Sequence, residues 1–180
     1  MKLIPDSSFF ICFFDDLDYR QNPLYQDFLA GIFQFFSVHI VPAVAAETLA
    51  FEHMSPFNQK CHSPLNVEID STAESLKLIL GKGEFEVIHY SNSLLKNGDL
   101  DFLFILDDKR ARDIVRSFFQ NLLNHMTGTI GIIEYCAAHQ IHTPQICIRL
   151  LYDIQASGFR ADATIIQNSV HKIKSGSHNS

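Results

Sequence analysis

The 180-residue chain contains no Trp, and no stretch of it reaches the roughly 18 to 20 consecutive apolar residues of a membrane span. A spanning helix is therefore not expected. Its four cysteines, Cys12, Cys61, Cys136 and Cys147, form no C-x-x-C pair and lack the close spacing of a disulfide framework, so a reducing, cytoplasmic setting is the simplest reading. Basic residues are in deficit: 14 Lys and Arg stand against 20 Asp and Glu, a formal net charge of −6. That balance argues against holding nucleic acid by bulk positive charge, but leaves room for a local site that binds metal through its acids. The apolar run Phe9 to Phe14 follows Lys2, yet Pro5 and Asp6 interrupt the approach. Asp15, Asp16 and Asp18 then stand where the small residues of a cleavage site belong, which speaks against a signal peptide.

Apolar material is abundant. With 47% hydrophobic and 19% charged residues, and 16 Phe, a substantial core is available and global disorder is excluded. At about 100 to 200 residues per domain the length suits one domain, read here as residues 1–174 with a disordered tail over 175–180. Charge is unevenly spread: the nets are −5 over residues 1–52, −3 over 53–106 and +2 over 107–180. A folded chain can thus set an acidic centre beside a basic rim.

Strand and helix patterns alternate. Leu3-Ile4 opens as a short strand that stops at Pro5-Asp6, and Leu24, Phe28, Ile32 and Phe35 recur at helical spacing over residues 24–36. Val38 to Val41 reads as a buried strand, and Pro42 suits the first turn of a following helix. Residues 54–71 read as a loop or irregular insertion. Helical spacing resumes in STAESLKLIL, stops at Gly81 and Gly83, and restarts at Glu84 with Gly98 as the stop. Residues 100–106, LDFLFIL, form the strongest strand and run into Asp107-Asp108 and a helical DKRARDIVRSFFQNLL. Further helices are expected over 129–140, 144–157 and 162–173. Such alternation predicts an α/β fold with an open, mostly parallel sheet covered by helices on both faces, and ligands in such sheets lie beyond the carboxyl ends of the strands.

Acids occupy those places. Asp6 follows the first strand, Glu47 lies in the helix after the second, Glu84 opens a helix, and Asp107 and Asp108 follow the central strand. Several carboxylates in one cleft raise each other's pKa unless a cation balances them. Their hard oxygens suit Mg²⁺ or Mn²⁺, ions that activate water and shield a phosphodiester during in-line attack. Each acid also has a plainer reading: Asp6 and Asp107-Asp108 as helix caps, Glu84 as a first-turn acid favoured by the helix dipole. Glu47 fits that reading less well, because it lies within the otherwise apolar VPAVAAE helix.

The order IPDSSFF, VHIVPAVAAE, LGKGEFEVIHY, LFILDDKRAR and TGTIGII, over roughly residues 3–160, resembles the PIN-domain family of metal-dependent ribonucleases. It is most similar to a branch of small nucleic-acid-binding proteins with Gly-Glu, Asp-Asp-x-x-Ala-Arg and Gly-Thr-x-Gly motifs. The resemblance implies a three-layer α/β/α sandwich with a central, mostly parallel sheet. It also implies Mg²⁺- or Mn²⁺-dependent cleavage of single-stranded RNA, often by the toxin of a toxin-antitoxin pair, with an antitoxin-like protein and a homodimer as partners. On this reading Asp6, Glu47, Glu84 and Asp108 are the catalytic, metal-holding acids, and Asp107 is an auxiliary neighbour. Glu84 stands where the wider family more often has Asp, and the 54–71 segment is less typical.

Lys109, Arg112 and Arg116 share one helix face at i, i+3 and i+7 and are candidates for a nucleic-acid backbone; a solvated face neutralising Asp107, Asp108 and Asp113 is the competing reading. Thr127, Gly128, Thr129 and Gly131 form a turn whose free N–H groups suit a phosphate, with Thr129 at the helix start; a tight turn capped by Thr is the plainer role. The segment lacks the Lys and spacing of a P-loop. His53, Cys61 and His62 match no zinc spacing. Phe28, Phe33, Phe35, Phe36, Phe118 and Phe119 are read as core or dimer packing. Two other functions compete with the nuclease: a non-catalytic PIN-like module that binds nucleic acid or protein, and an aspartyl-phosphate phosphatase. The phosphatase would need Asp-x-Asp at the first strand end, where Asp6 is followed by Ser7 and Ser8.

Overall fold

The structure, a computed structural model, describes residues 1–48, 61–62, 76 and 79–176. Its elements begin with β1 (Lys2–Ile4), α1 (Ser7–Ile11), a π-helical turn (Cys12–Asp16), α2 (Pro23–Phe35), β2 (Ser37–His39), α3 (Pro42–Thr48) and β3 (Cys61–His62). They continue with α4 (Lys82–Lys96), β4 (Phe102–Ile105), α5 (Lys109–Phe118), a 3-10 turn (Gln120–His125), β5 (Met126–Thr127), α6 (Thr129–Ala138), α7 (Pro144–Ala156) and α8 (Ala163–Gly176). The strands form one sheet in the order β3-β2-β1-β4-β5, and every pairing is parallel. This is the parallel α/β architecture of the α/β/α sandwich class. None of the described helices is long and apolar enough to cross a membrane.

The chain divides into two compact units. The first, residues 1–10 and 36–128, contains the whole sheet. Leu3, Ile4, Val38, Phe102, Phe104 and Ile105 are buried on the strands. Phe85, Val87 and Ile88 of α4 are buried with them, and α4 packs against β4 and α3. The second unit, residues 11–35 and 129–180, is helical. Phe13 stacks on Phe28 at 5.6 Å between ring centres, while α8 packs on both α6 and α7 through Ile166, Val170 and Ile173.

Local chemistry accounts for the helix ends. The Asp108 carboxylate accepts the Ala111 N–H at 2.7 Å and caps α5, and the Thr143 hydroxyl accepts the Ile146 N–H before Pro144 in the first turn of α7. Gly98, at φ +76°, closes α4: its N–H reaches Leu95 O and that of Asp99 reaches Leu94 O, the paired return bonds of a glycine-terminated helix.

Four sequence expectations need adjustment. Within the expected 54–71 loop, Cys61–His62 instead form the edge strand β3, a two-residue element too short to show a period. Met126–Thr127, of which Thr127 falls in the expected glycine-containing turn, form the other edge. The helix after Asp108 ends at Phe118, because Phe119 leaves helical geometry (φ −130°, ψ 49°), and the chain continues as a 3-10 turn. Finally, the N-terminal FFICFF run is helical, in α1 and the π-helical turn. The expected 71–80 helix lies outside the described residues except at Leu76, Ile79 and Leu80, and the end of the tail, residues 177–180, lies outside them too. Of the Phe set, Phe28, Phe33 and Phe36 are buried, whereas Phe35 and Phe118 are exposed.

Candidate active site

β1 is flanked by β2 on one side and β4 on the other, so the chain leaves β1 in one direction across the sheet and returns to its other side at β4. Such a reversal marks the carboxyl ends of β1 and β4 as the place where parallel α/β sheets receive ligands. Asp6 and Asp107 stand there. The register pairs Ile4 with Phe104, so the residues leaving the two strands emerge side by side.

Asp6 is buried, at 2% exposure. Its Oδ1 accepts the Ser8 hydroxyl at 2.5 Å and the Phe9 N–H at 3.3 Å, and its Oδ2 accepts the Asp107 N–H at 3.5 Å. The Ser8 hydroxyl also lies 3.0 Å from Asp107 Oδ2. Ser8 thus touches both carboxylates. Burial first, and then the neighbouring Asp107 charge, push the Asp6 carboxyl up to about 7, against the opposing pull of its hydrogen bonds. Asp6 therefore caps α1 and also faces a second acid; the two sequence readings describe one residue.

The other acids are held apart from this pair. Glu47, exposed on α3, accepts a hydrogen bond from the Ser7 hydroxyl. A Cβ on Gly83 would lie 3.3 Å from Glu47 Oε2 and 3.5 Å from Ser7 Oγ, so the first turn of α4 approaches this contact through a glycine. Glu84 folds back over the start of its own helix: a Cβ on Gly81 would lie 2.2 Å from its Oε2. Asp108 caps α5 and lines a surface depression of about 460 Å³ with Lys109, Arg110 and Asp113. The structure thus brings Asp107, not Asp108, to Asp6.

The three basic side chains have different neighbours. Lys109 is exposed in that depression, and Arg116 pairs with Asp113 at 2.7 Å. Arg112 reaches Gly128, where a Cβ would fall 3.5 Å from its Nη1 and 2.8 Å from Asp107 Oδ1. Its Nε is buried and, among the described residues, has no hydrogen-bond partner. Thr129 is buried at the start of α6. Sequence reasoning missed the two serines; their adjacency to a strand-end acid was the available signal. It also missed Glu86, which accepts the Ala43 N–H at 2.7 Å and so satisfies the start of α3.

Two hard carboxylates at a crevice fit Mg²⁺ or Mn²⁺, which are held by one or two protein carboxylates and keep several waters for substrate to replace. Among the described residues no group of three or more His, Cys, Asp and Glu side chains gathers into a metal cage.

No curated protein and no solved structure matches the chain. The sequence profile described as PIN domain matches residues 29–175. The match starts after Asp6, whose place in the site consequently stands on the geometry. Covering α3, β4 and the Asp-Asp-x-x-Ala-Arg segment, it identifies the chain as a member of the PIN-domain family, whose fold is of nuclease type.

Proposed function

We propose that the protein is a Mg²⁺- or Mn²⁺-dependent endoribonuclease acting on single-stranded RNA. The observation that supports this best is the meeting of a buried Asp6 with Asp107 at the reversal of strand order, in a chain of the PIN-domain family. Asp6 and Asp107 hold the ion. When bound, it supplies Lewis acidity to the phosphoryl group and to water.

The chain's own groups do the rest. Asp6 and Asp107 meet at the ends of β1 and β4, each within hydrogen-bond reach of the Ser8 hydroxyl. Glu47 and Glu84, on α3 and α4, act through water rather than by direct ligation. Arg112 orients a phosphate beside Asp107, its planar guanidinium being shaped for two phosphate oxygens. Lys109 and Arg116 extend the strand's path along α5. In this reading Asp108 is a helix cap. A protein inhibitor of the antitoxin kind and a second copy of the chain are the proposed partners, in the cytoplasm.

Purified wild type should cut single-stranded RNA with Mn²⁺ and stop on addition of EDTA, whereas folded Asp6→Asn and Asp107→Asn variants should be inactive. An Asp6→Asn protein that folds and cuts at the wild-type rate would overturn the proposal. A second reading, a non-catalytic module that keeps the fold to bind nucleic acid or protein, is favoured by one observation: Glu47 and Glu84 are turned to Ser7 and Gly81 instead of joining the pair. Absence of calorimetric Mn²⁺ binding by the wild type would select it.

A further inference from the structure

Two consecutive hydroxyls on the short α1 touch three carboxylates that come from three different elements. Ser8 contacts Asp6 Oδ1 at 2.5 Å and Asp107 Oδ2 at 3.0 Å, and Ser7 donates to Glu47 Oε2. These partners are remote in sequence: Asp107 is 99 residues from Ser8, and Glu47 is 40 from Ser7. A free carboxylate at the end of a strand turns about its own side-chain bonds. Here the rotation of Asp6 is fixed on one oxygen by Ser8 and Phe9 N–H, and on the other by Asp107 N–H. We propose that Ser8 is a positioning residue of the site, its single hydroxyl proton shared between Asp6 Oδ1 and Asp107 Oδ2 so that the two carboxylates are oriented for a divalent cation. Ser7 performs the matching service for Glu47.

The assignment rests on the metal-dependent reading given above. It follows from the chemistry of groups that orient ligands: hydrogen bonds behind a metal-holding carboxylate fix its direction, and removing them lowers metal affinity by roughly 10- to 100-fold. A hydroxyl that merely filled space, or merely stabilised α1, would leave affinity unchanged once folding was intact.

The experiment is Mn²⁺ titration calorimetry on the full chain, with melting temperature in EDTA as the check on folding. Wild type, Asp6→Asn, Ser8→Ala, Ser8→Thr and Ser8→Val are compared; Thr and Val have the same shape and differ by the hydroxyl, so the comparison survives if the Ala variant folds poorly. Expected are Mn²⁺ binding by the wild type, none by Asp6→Asn, an affinity at least about tenfold weaker for Ser8→Ala and Ser8→Val, and near wild-type affinity for Ser8→Thr. Equal affinities for folded Ser8→Val and Ser8→Thr overturn the role of Ser8 and leave the metal-dependent reading standing. A wild type that binds no Mn²⁺ overturns both.

Discussion

Asp107 and Gly128 face each other so closely that a side chain at 128 has no room: its Cβ would fall 2.8 Å from Asp107 Oδ1. A larger residue at 128 would have to displace the Asp107 carboxylate, and the conflict is one of space alone, because the Gly128 backbone is not in the left-handed region.

Gly128→Ala should therefore act on the carboxylate more than on the fold. Asp107 is short and engaged with Ser8, so the added methyl displaces its Oδ1. We expect RNA cleavage to fall by more than tenfold while stability falls by about 1 kcal/mol, near the low end for an overpacked site. Side-by-side cleavage assays and urea unfolding check both figures; a variant that cuts at the wild-type rate removes Asp107 from the site.

Adjacent acids should separate by function. Asp108→Ala removes the carboxylate that accepts Ala111 N–H and should cost about 1 kcal/mol, the usual worth of a helix cap, with Mn²⁺ affinity unchanged. Asp107→Asn should do the reverse, abolishing cleavage with little effect on unfolding. Calorimetry with thermal melts distinguishes the two, and loss of Mn²⁺ affinity in folded Asp108→Ala would return Asp108 to the ion.

Stability of the metal-free protein should depend on pH through opposing groups. The Asp6 carboxyl, at 3.8 in the unfolded chain and about 7 when folded, keeps its proton in the folded state between those values. Its penalty therefore grows as pH rises from about 4 to 7 and is complete above 7. His39 works in the other direction. Burial first, then His62, lower it from 6.5 to about 4, so the unfolded chain binds the extra proton in that window and stability rises with pH. His142, also lowered by burial, adds to this rise. In EDTA, Asp6→Asn should be more stable than wild type at pH 8, by on the order of a few kcal/mol, with the difference vanishing below pH 4. Urea midpoints at pH 4, 6.5 and 8 measure it. An unchanged gap across that range would mean that Asp6 is not the titrating acid.

In the helical unit, His142 stacks on Phe28 at 4.6 Å and its Nε2 lies 3.0 Å from Phe28 O, directly over Gly31. A Cβ at 31 would meet that nitrogen at 2.3 Å. Gly31→Ala should gain about 1 kcal/mol of helix propensity and lose more to the clash, for a net destabilisation of about 1 to 2 kcal/mol. In a His142→Ala background the same change should stabilise instead. A double-mutant cycle measures the reversal, and additive effects would show that the two residues do not meet.

What the sequence disclosed was periodic or punctuated. The helices at 23–35, 82–96, 144–156 and 163–176 follow apolar spacing and their Pro, Gly and Thr signals. The strong β4 announces itself by seven residues with a single charge. The edge strands at 61–62 and 126–127 escaped because two residues carry no period, and their pairing is decided by distant partners. The acids at strand ends were legible as a set. Which of them converge was not, because Asp107 and Asp108 are equivalent in one dimension. They separate only when the backbone turns one to Asp6 and spends the other on Ala111 N–H.

The strand order has a consequence for how the molecule comes into being. Asp6 is made well before Asp107, whose N–H it accepts from 101 positions later, and the sheet unit closes only at Gly128. Until β4 has been synthesised and has docked beside β1, the Asp6 carboxylate has no second acid across the crevice. A ribosome-bound fragment with only β1, β2 and β3 therefore carries half of the pair, and any capacity that depends on both begins only after β4 has been made.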